Sequence, residues 1–363
     1  MSAKSPWSPV KASAILVVII VALVGAYAYV GKTQQVRRHL IVSTTTSLYE
    51  TGFLDLLKTR FEWNYPDINV SFVSQGTGLA IQTAMRGDAD MILVHDPARE
   101  LEFMKAGYGV NRKIVAYNFF VIVGPAEDPA RIKELSPAEA FKAIEAAGEA
   151  GTALWVSRGD DSGTHAKEKR IWRSAGFDER SLRQQGWYLE AGSGMTATLK
   201  MADEKMAYTL SDIGTYLMNH NSGNIRLAIL LEAGIELLNV YSVIATDPRH
   251  ENLTRANFEA SMKFIRFLVS DEGQNLFDIF GKTEYGQPLF KPYVKLLKTK
   301  IDSTILEWIQ EVAYFDGSEC PPEYRYKDGD LYAITANHLQ MLRLAIIFTV
   351  DDRWPSKFWW KVS

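Results

Sequence analysis

The chain has 363 residues, of which 47% are hydrophobic and 23% charged, and its formal net charge is −3. This length is enough for two domains, and the composition is typical of a globular protein rather than of a disordered or collagen-like one. Because the net charge is slightly negative and no basic stripe is interleaved with aromatic residues, the sequence predicts no nucleic-acid partner.

Cysteine and histidine usage limits how the fold can be stabilised. Cys320 is the only cysteine, so no internal disulfide can form. The six histidines show no paired ligand spacing such as H-E-x-x-H. We therefore expect no structural metal, no cofactor and a fold that depends on an ordinary hydrophobic core.

The N-terminal 38 residues have the pattern of a segment that enters a membrane. Lys4 and Lys11 precede an apolar run over residues 12–30, which is close to the length that spans a bilayer. Residues 26–28 (AYA) fit the small-x-small pattern of a cleavage site. A cleaved signal peptide and an uncleaved anchor both remain open, and in either case we expect the rest of the chain to be extracytoplasmic, either membrane-tethered or secreted.

Polar turns follow three strands in the first third of the chain. Strands are predicted at residues 39–42, 68–73 and 91–94, and the turns after the first two, STTTS at 43–47 and SQGTG at 74–78, each open a helical pattern. Alternation of strands and helices predicts an α/β fold with a parallel sheet, in which ligands collect at the carboxyl ends of the strands. Helix capping is the plainer explanation of the hydroxyl groups, and a structural role is expected for His95.

The loop at residues 157–165, SRGDDSGTH, has the composition of an anion site. It lies between an apolar strand at 152–156 and an amphipathic helix that follows, so it ends at a helix N-terminus, where free N–H groups favour an oxyanion. Arg158 offers a charged fork, Ser162 and Thr164 offer hydroxyl groups, and Gly163 allows close approach of the backbone. The alternative is a capped loop with a surface arginine. A similar turn around Ser193 precedes another helix.

Two apolar strands, at residues 118–125 and 239–248, each end in a turn that contains proline. We expect them to be the two crossings of a two-lobed protein. The predicted lobes are 39–118 with 238–297, and an inserted lobe at 119–237. Residues 298–363 form an extension of unknown role, and the apolar run at 339–350 is too short to span a bilayer.

Several motifs in order resemble those of one family. From Val42 to about Leu297 the chain is similar to the TupA-type tungstate-binding proteins of ABC importers, a branch of the type II periplasmic binding proteins. The matching segments are STTTSLYETG, SQGTG, GDADMILVHDP, GYGVNR with NFFVIVGP, SRGDDSGTH, and EAGSGM with AYTLSD. The resemblance implies two α/β lobes joined by two crossover strands, which close on a tetrahedral oxyanion. It also implies a monomer that is not an enzyme and that delivers the anion to an ABC permease.

The turns and the resemblance together give the expected ligand set: Thr45, Thr46, Ser47, Thr77, Arg158, Ser162, Gly163, Thr164 and Ser193. Tungstate and molybdate are fully ionised at neutral pH and only accept hydrogen bonds, which suits these donors. Hydrogen phosphate also donates, and Asp160 or Asp161 could accept from it, so a phosphate-binding protein is an alternative. A ligand-sensing ectodomain is another. A hydrolase built on Asp161, Ser162 and His165 is disfavoured because no G-x-S-x-G elbow is present.

Overall fold

The computed structural model describes residues 38–232, 234–253 and 256–333. Residues 1–37, which contain the predicted N-terminal apolar segment, and the apolar run at 339–350 lie outside the described residues. Within the described ranges, no helix combines the length and the apolar character that crossing a membrane requires.

The chain alternates strands and helices as far as its longest strand, β4. The elements are β1 (Arg38–Thr45), α1 (Thr46–Glu50), α2 (Phe53–Asn64), β2 (Ile68–Gln75), α3 (Thr77–Met85), β3 (Met91–Val94), α4 (Pro97–Lys105) and β4 (Gly109–Gly124). The predicted strand-to-helix turns at 43–47 and 74–78 therefore lie where β1 meets α1 and where β2 meets α3, which confirms these two predictions.

The next segment contains the predicted anion loop. Its elements are α5 (Pro137–Glu149), β5 (Trp155–Ser157), α6 (Gly163–Ser174), α7 (Glu179–Leu182), β6 (Tyr188–Glu190), α8 (Met195–Glu204), β7 (Thr209–Asp212), α9 (Ile213–Asn221) and β8 (Ala228–Leu231). The start of α5 shows how local sequence sets a boundary: Ser136 and Glu139 form a capping box around Pro137 at the first helical position.

The chain then returns through β9 (Leu238–Thr246), and most of the elements described after it are helices. These are α10 (Phe258–Val269), α11 (Asp271–Ile279), α12 (Lys282–Tyr285), α13 (Tyr293–Thr299) and α14 (Ser303–Ala313), with the short strand β10 (Lys291–Pro292) before α13. One face of α10 is buried, as its apolar spacing predicts.

The main sheet is mixed, so the prediction of a parallel sheet is correct only for part of it. The strand order is β10-β4-β9-β3-β1-β2, and β7 and β8 also pair with β4. β1 is parallel to β2 and β3, whereas β9 is antiparallel to β3 and β4. The reason is geometric. The chain leaves the first part of the sheet through β4 and returns through β9, and because β9 lies beside β4 the two strands run in opposite directions.

β4 pairs with different strands along its length. From Gly109 to Phe119 it pairs with β9, and from Phe120 onward it pairs with β7 and β8. We call the elements β1–β3, β9, β10, α1–α4 and α10–α13 the first lobe, and β5–β8 with α5–α9 the second lobe. One hydrophobic core contains Phe53, Phe61 and Phe264. A second contains Trp155 and Trp172. The α/β two-lobed fold class is thereby confirmed.

The extension after α13 packs on the first lobe. Leu306 and Ile309 of α14 join a cluster with Ile114 of β4 and Val240 of β9. Glu319, in the loop that follows, is buried, pairs with Lys113 and accepts a hydrogen bond from the N–H of Ile114 at 3.1 Å. The extension is therefore fastened to the strand that runs into both lobes.

A buried arginine makes a second attachment of the extension. Arg112 donates from Nε to Glu100 at 2.7 Å and from Nη1 to the carbonyl oxygens of Ala313 and Glu319 at 2.8 and 2.7 Å. Burial raises the pKa of Glu100, although the charge of Arg112 opposes that shift. This contact joins α4, β4 and the extension in one polar network inside an apolar region.

Candidate functional site

Two of the buried hydroxyl groups that lack a partner among the described residues lie next to helix N-termini of the first lobe. Thr45 precedes α1 and Thr77 begins α3, and both side chains are buried. Their Oγ1 atoms accept and donate no hydrogen bond within the described residues. The neighbouring Thr44 differs, since its Oγ1 donates to the carbonyl oxygen of Leu93 at 2.8 Å. Thr45 and Thr77 therefore keep donors available, whereas Thr44 is committed to the fold.

The second lobe contributes the loop between β5 and α6. Gly159 and Asp161 adopt left-handed conformations, with φ of 64° and 55°. Ser162 caps α6, because its Oγ accepts from the N–H of His165 at 3.2 Å. The N–H groups of Gly163 and Thr164 donate to no protein acceptor among the described residues. The first turn of α6 can thus bind an oxyanion through its backbone.

Arg158 connects the two lobes. Its side chain is 1% exposed. Nη2 donates to Oγ1 of Thr46 at 2.8 Å across the cleft, and Nη1 lies 3.4 Å from Oγ1 of Thr164. Nε donates to the carboxylate of Asp160 at 2.8 Å. A permanent positive charge is therefore held between α1 and α6 in a region with little access to water.

The two acidic residues of the loop are engaged by protein groups. Asp160 accepts from Nε of Arg158 and from the N–H of Ser162 at 3.1 Å, so it orients the guanidinium group. Asp161 points outward and accepts from Arg99 at 2.7 Å. Burial opposes the shift, but the hydrogen bond and charge of Arg99 and the charge of Lys169 lower the pKa of Asp161 overall. Both groups are thus carboxylates with partners.

The N-termini of α3 and α6 approach each other closely at Gly163. A Cβ atom at this glycine would lie 3.0 Å from Oγ1 of Thr77 and 2.8 Å from Cε1 of His95. His95 is buried, and its Nδ1 lies 2.9 Å from Oδ1 of Asn239. Burial lowers the pKa of His95 to about 4, so the ring is neutral at pH 7, and its contacts agree with the structural role that the sequence predicts.

Of the other predicted residues, Ser47 is buried in α1 and Ser193 is exposed. The structure does not bring Ser193 into the hydrogen bonds around Arg158. The helix that follows Ser193, α8, instead contacts the first lobe through Thr196. Its Oγ1 donates to Oε2 of Glu50 at 3.2 Å. Thr46, Thr77, Arg158, Gly163 and Thr164 are brought together through the contacts described above.

Sequence reasoning missed Glu168, which lies behind the loop. Its carboxylate accepts from Nε1 of Trp155 and the hydroxyl of Tyr188, both at 2.9 Å, and from the N–H of Arg158 at 3.3 Å. Burial raises the pKa of Glu168 to about 7, against these hydrogen bonds. A glutamate on the stripe that α6 buries, with Ile171 and Trp172, is the signal that could have identified it.

Metal binding and nucleophilic catalysis do not fit this geometry. His165, Glu179 and Glu190 could surround an ion, but Nδ1 of His165 accepts from the N–H of Asp161 at 3.1 Å. A metal on Nε2 would require the proton of the neutral ring to be on Nδ1, where it would face the N–H of Asp161. Both carboxylates also pair with Arg183 at 2.9 Å.

The hydrolase arrangement considered from the sequence fails on the same contacts. Oγ of Ser162 accepts from the backbone N–H of His165, while the imidazole contacts Asp161 and faces Glu179. The ring nitrogens are thus not placed to take a proton from this serine.

Two α/β lobes, with helix N-termini and an arginine facing a cleft, define the class of two-lobed binding proteins. Comparison with known proteins agrees. Residues 29–272 match the profile of the PBP superfamily domain. A putative ABC transporter anion-binding protein of Haloferax volcanii is 44% identical over 266 residues, which are 72% of this chain and 73% of that protein.

Two further relatives carry a more specific description. The tungstate-binding protein TupA of Peptoclostridium acidaminophilum is 40% identical over 264 residues, 72% of this chain and 88% of that one. The solved structure of the tungstate-binding protein TupA from Desulfovibrio alaskensis G20 is 36% identical with a TM-score of 0.61, and the match covers 70% of this chain and 98% of that chain. The chain therefore belongs to the PBP superfamily and, within it, to the TupA-type solute-binding proteins, as its motifs predict.

Proposed function

We propose that this protein captures tungstate, and molybdate as a close analogue, between its lobes and delivers it to an ABC permease. The observation that carries this proposal is the group formed by Arg158, bonded across the cleft to Thr46, and the unpartnered buried hydroxyls of Thr45 and Thr77. A fully ionised oxyanion would accept from these hydroxyls, from the guanidinium group and from the first N–H groups of α6.

The proposed ligands are the residues that the sequence predicts: Thr45, Thr46, Ser47, Thr77, Arg158, Ser162, Gly163, Thr164 and Ser193. Among them, Thr45 and Thr77 have the strongest support because their buried hydroxyls lack a partner within the described residues, and Arg158 because it is buried and bonded across the cleft. Ser162 would contribute by capping α6, and Ser193 would have to approach from an exposed turn.

The fate of the two aspartates favours tungstate or molybdate over hydrogen phosphate. An acceptor is useful to a site only if the ligand has a proton to donate. Asp160 is held by Arg158 and Ser162, and Asp161 by Arg99. Both carboxylates are already paired with arginine, so the unpaired buried side-chain groups proposed to face the ligand are the hydroxyls of Thr45 and Thr77, which can donate to a fully ionised oxyanion.

We further propose that residues 39–118 with 238–297 and residues 119–237 move as two lobes. The protein would act as an extracytoplasmic monomer, tethered by its N-terminal segment or secreted, with no enzymatic activity. A relative described as a putative ABC transporter anion-binding protein supports this role.

A titration of the purified chain with sodium tungstate, molybdate, sulfate and phosphate tests the proposal. At about 100 times its dissociation constant, a ligand stabilises the folded state by roughly 2.7 kcal/mol, which raises the melting temperature by several degrees. We expect tungstate and molybdate to do so for the wild type, and Arg158→Ala to weaken binding at least about 100-fold, since it removes hydrogen bonds to a charged ligand.

Arg86→Ala is the matched control, because Arg86 pairs with Asp88 on the exposed surface of the first lobe and should leave binding unchanged. Stabilisation by phosphate alone would show that the proposed ligand is wrong. Equal affinity of Arg158→Ala and the wild type would show that the proposed site is wrong.

A further inference from the structure

The imidazole of His165 supports the anion loop from behind. It is 2% exposed. Its Nδ1 accepts from the N–H of Asp161 at 3.1 Å, and its own backbone N–H donates to Oγ of Ser162 at 3.2 Å. One residue thus fixes two successive residues of the loop that carries Arg158, immediately before the free N–H groups of Gly163 and Thr164.

The loop needs such support because Asp161 has φ of 55°. A left-handed conformation is unfavourable for a residue with a Cβ atom. The bond to Nδ1 of His165 and the carbonyl contact from Nη1 of Arg99 at 3.2 Å offset this strain. Without them, less would hold Asp161 in this conformation, directly before the first turn of α6.

The same contact fixes the protonation state of the ring. Since Nδ1 accepts, the single proton of neutral His165 is on Nε2, which is buried and lies 3.6 Å from Oε1 of Glu179. A second proton would have to reside on Nδ1, where it would face the N–H of Asp161. Protonation therefore removes an acceptor and sets two donors against each other.

We propose that neutral His165 is a positioning residue of the oxyanion site, and that its protonation opens the loop and releases the anion. This inference rests on the proposed function. The charged groups that face the ring come from the loop, from α6 and α7, and from β6: Asp160, Asp161, Lys169, Glu179 and Glu190, with Arg183 between the last two.

The direction of the pH effect follows from these surroundings. Burial lowers the pKa of His165 below its ordinary 6.5, and Lys169 lowers it further, while Glu179, Asp160 and Glu190 oppose the shift. The ring is therefore neutral at pH 7. Anion binding should be complete at neutral pH and decline as the pH falls through the lowered pKa of His165.

Two substitutions separate this role from simple packing. His165→Asn keeps an acceptor oxygen near the position of Nδ1 but cannot be protonated, whereas His165→Ala removes the acceptor. At neutral pH we expect His165→Ala to bind molybdate about tenfold more weakly, the effect of losing one buried hydrogen bond, and His165→Asn to bind within about a factor of two of the wild type.

The deciding experiment is calorimetric titration with micromolar sodium molybdate, which avoids polyoxoanions, from neutral pH down to about pH 5. The wild type should lose affinity more steeply than His165→Asn. Parallel profiles for the two proteins, or full affinity of His165→Ala at neutral pH, would overturn the inference while leaving the proposed function intact.

A second measurement is independent of any anion. The imidazole ¹⁵N spectrum of the wild type should show the Nε2–H tautomer at neutral pH, and an Nδ1–H tautomer would contradict the inference directly. If the wild type binds none of the anions at any pH, the proposed function is wrong and the inference falls with it.

Discussion

Two side chains in the cleft make the folded protein less stable than it could be. A buried hydroxyl without a hydrogen-bond partner lowers the free energy of unfolding by about 1–3 kcal/mol. The hydroxyls of Thr45 and Thr77 are both in this state within the described residues. Most buried polar groups in proteins are paired. Such an exception is expected where the missing partner is a ligand, which is the role proposed for these two residues.

Replacing Thr77 by valine should separate these two effects. Valine has nearly the same shape but no hydroxyl, so we expect the free energy of unfolding without ligand to stay the same or rise by up to about 1 kcal/mol. Tungstate affinity should fall at least about tenfold, because one hydrogen bond to a charged group is lost. Urea denaturation and calorimetric titration measure the two quantities.

Thr44→Val is the control for this substitution. Its hydroxyl already donates to the carbonyl oxygen of Leu93, so the variant should lose about 1 kcal/mol of stability, with little effect on affinity. A Thr77→Val protein that loses stability but binds tungstate normally would mean that the hydroxyl of Thr77 has a structural role.

At the scale of elements, the proposed site lies where the N-termini of α3 and α6 meet. The partial positive charge at the start of α3 and of α6 favours an anion placed between them. The two helices can approach because residue 163 is a glycine. A Cβ atom at this position would lie too close to Thr77 and His95. The glycine matters here for its small size and not for its backbone conformation.

Gly163→Ala should therefore impair closure of the cleft. The added methyl group would contact His95 and Thr77 within about 3 Å, so the two helices must separate, and we expect tungstate affinity to fall at least about tenfold. Gly186→Ala is the matched control, because no atom lies within 4 Å of its Cβ position. Normal affinity of Gly163→Ala would show that α3 and α6 do not need this contact to bind the anion.

Sequence patterns predict these elements well because each functional turn is local. The hydroxyl and glycine residues at 43–47, 74–78 and 157–165 directly follow apolar strands, and periodicity places them at helix starts. The partners of Asp160 and Asp161, and the position of Glu168 behind Arg158, depend on how the loop folds back on itself. The antiparallel return of β9 depends on where the chain re-enters the first lobe. Spacing along a chain does not encode such contacts.

Across the whole molecule, the extension after residue 297 stabilises the strand shared by both lobes. Glu319 neutralises Lys113 and accepts from the N–H of Ile114 in a buried region. Breaking one side of a buried ion pair leaves a charge without compensation, which is far more harmful than loss of a surface pair.

Glu319→Ala should lower the free energy of unfolding by about 3–5 kcal/mol while the protein that remains folded binds tungstate with wild-type affinity. Chemical denaturation measures the first quantity and calorimetric titration below the melting temperature the second. Glu311→Ala, at an exposed position of α14, should change neither. A selective loss of affinity in Glu319→Ala, with stability unchanged, would place the extension in the binding mechanism instead.

The continuity of β4 has a consequence for how occupancy is communicated. β4 pairs with β9 up to Phe119 and with β7 and β8 from Phe120 onward. A small bend between these two residues would therefore rotate the second lobe relative to the first. The presence of a single ion would thereby be translated into the angle between two distant outer surfaces. A receptor that touches both surfaces could tell a loaded protein from an empty one without ever contacting the ion.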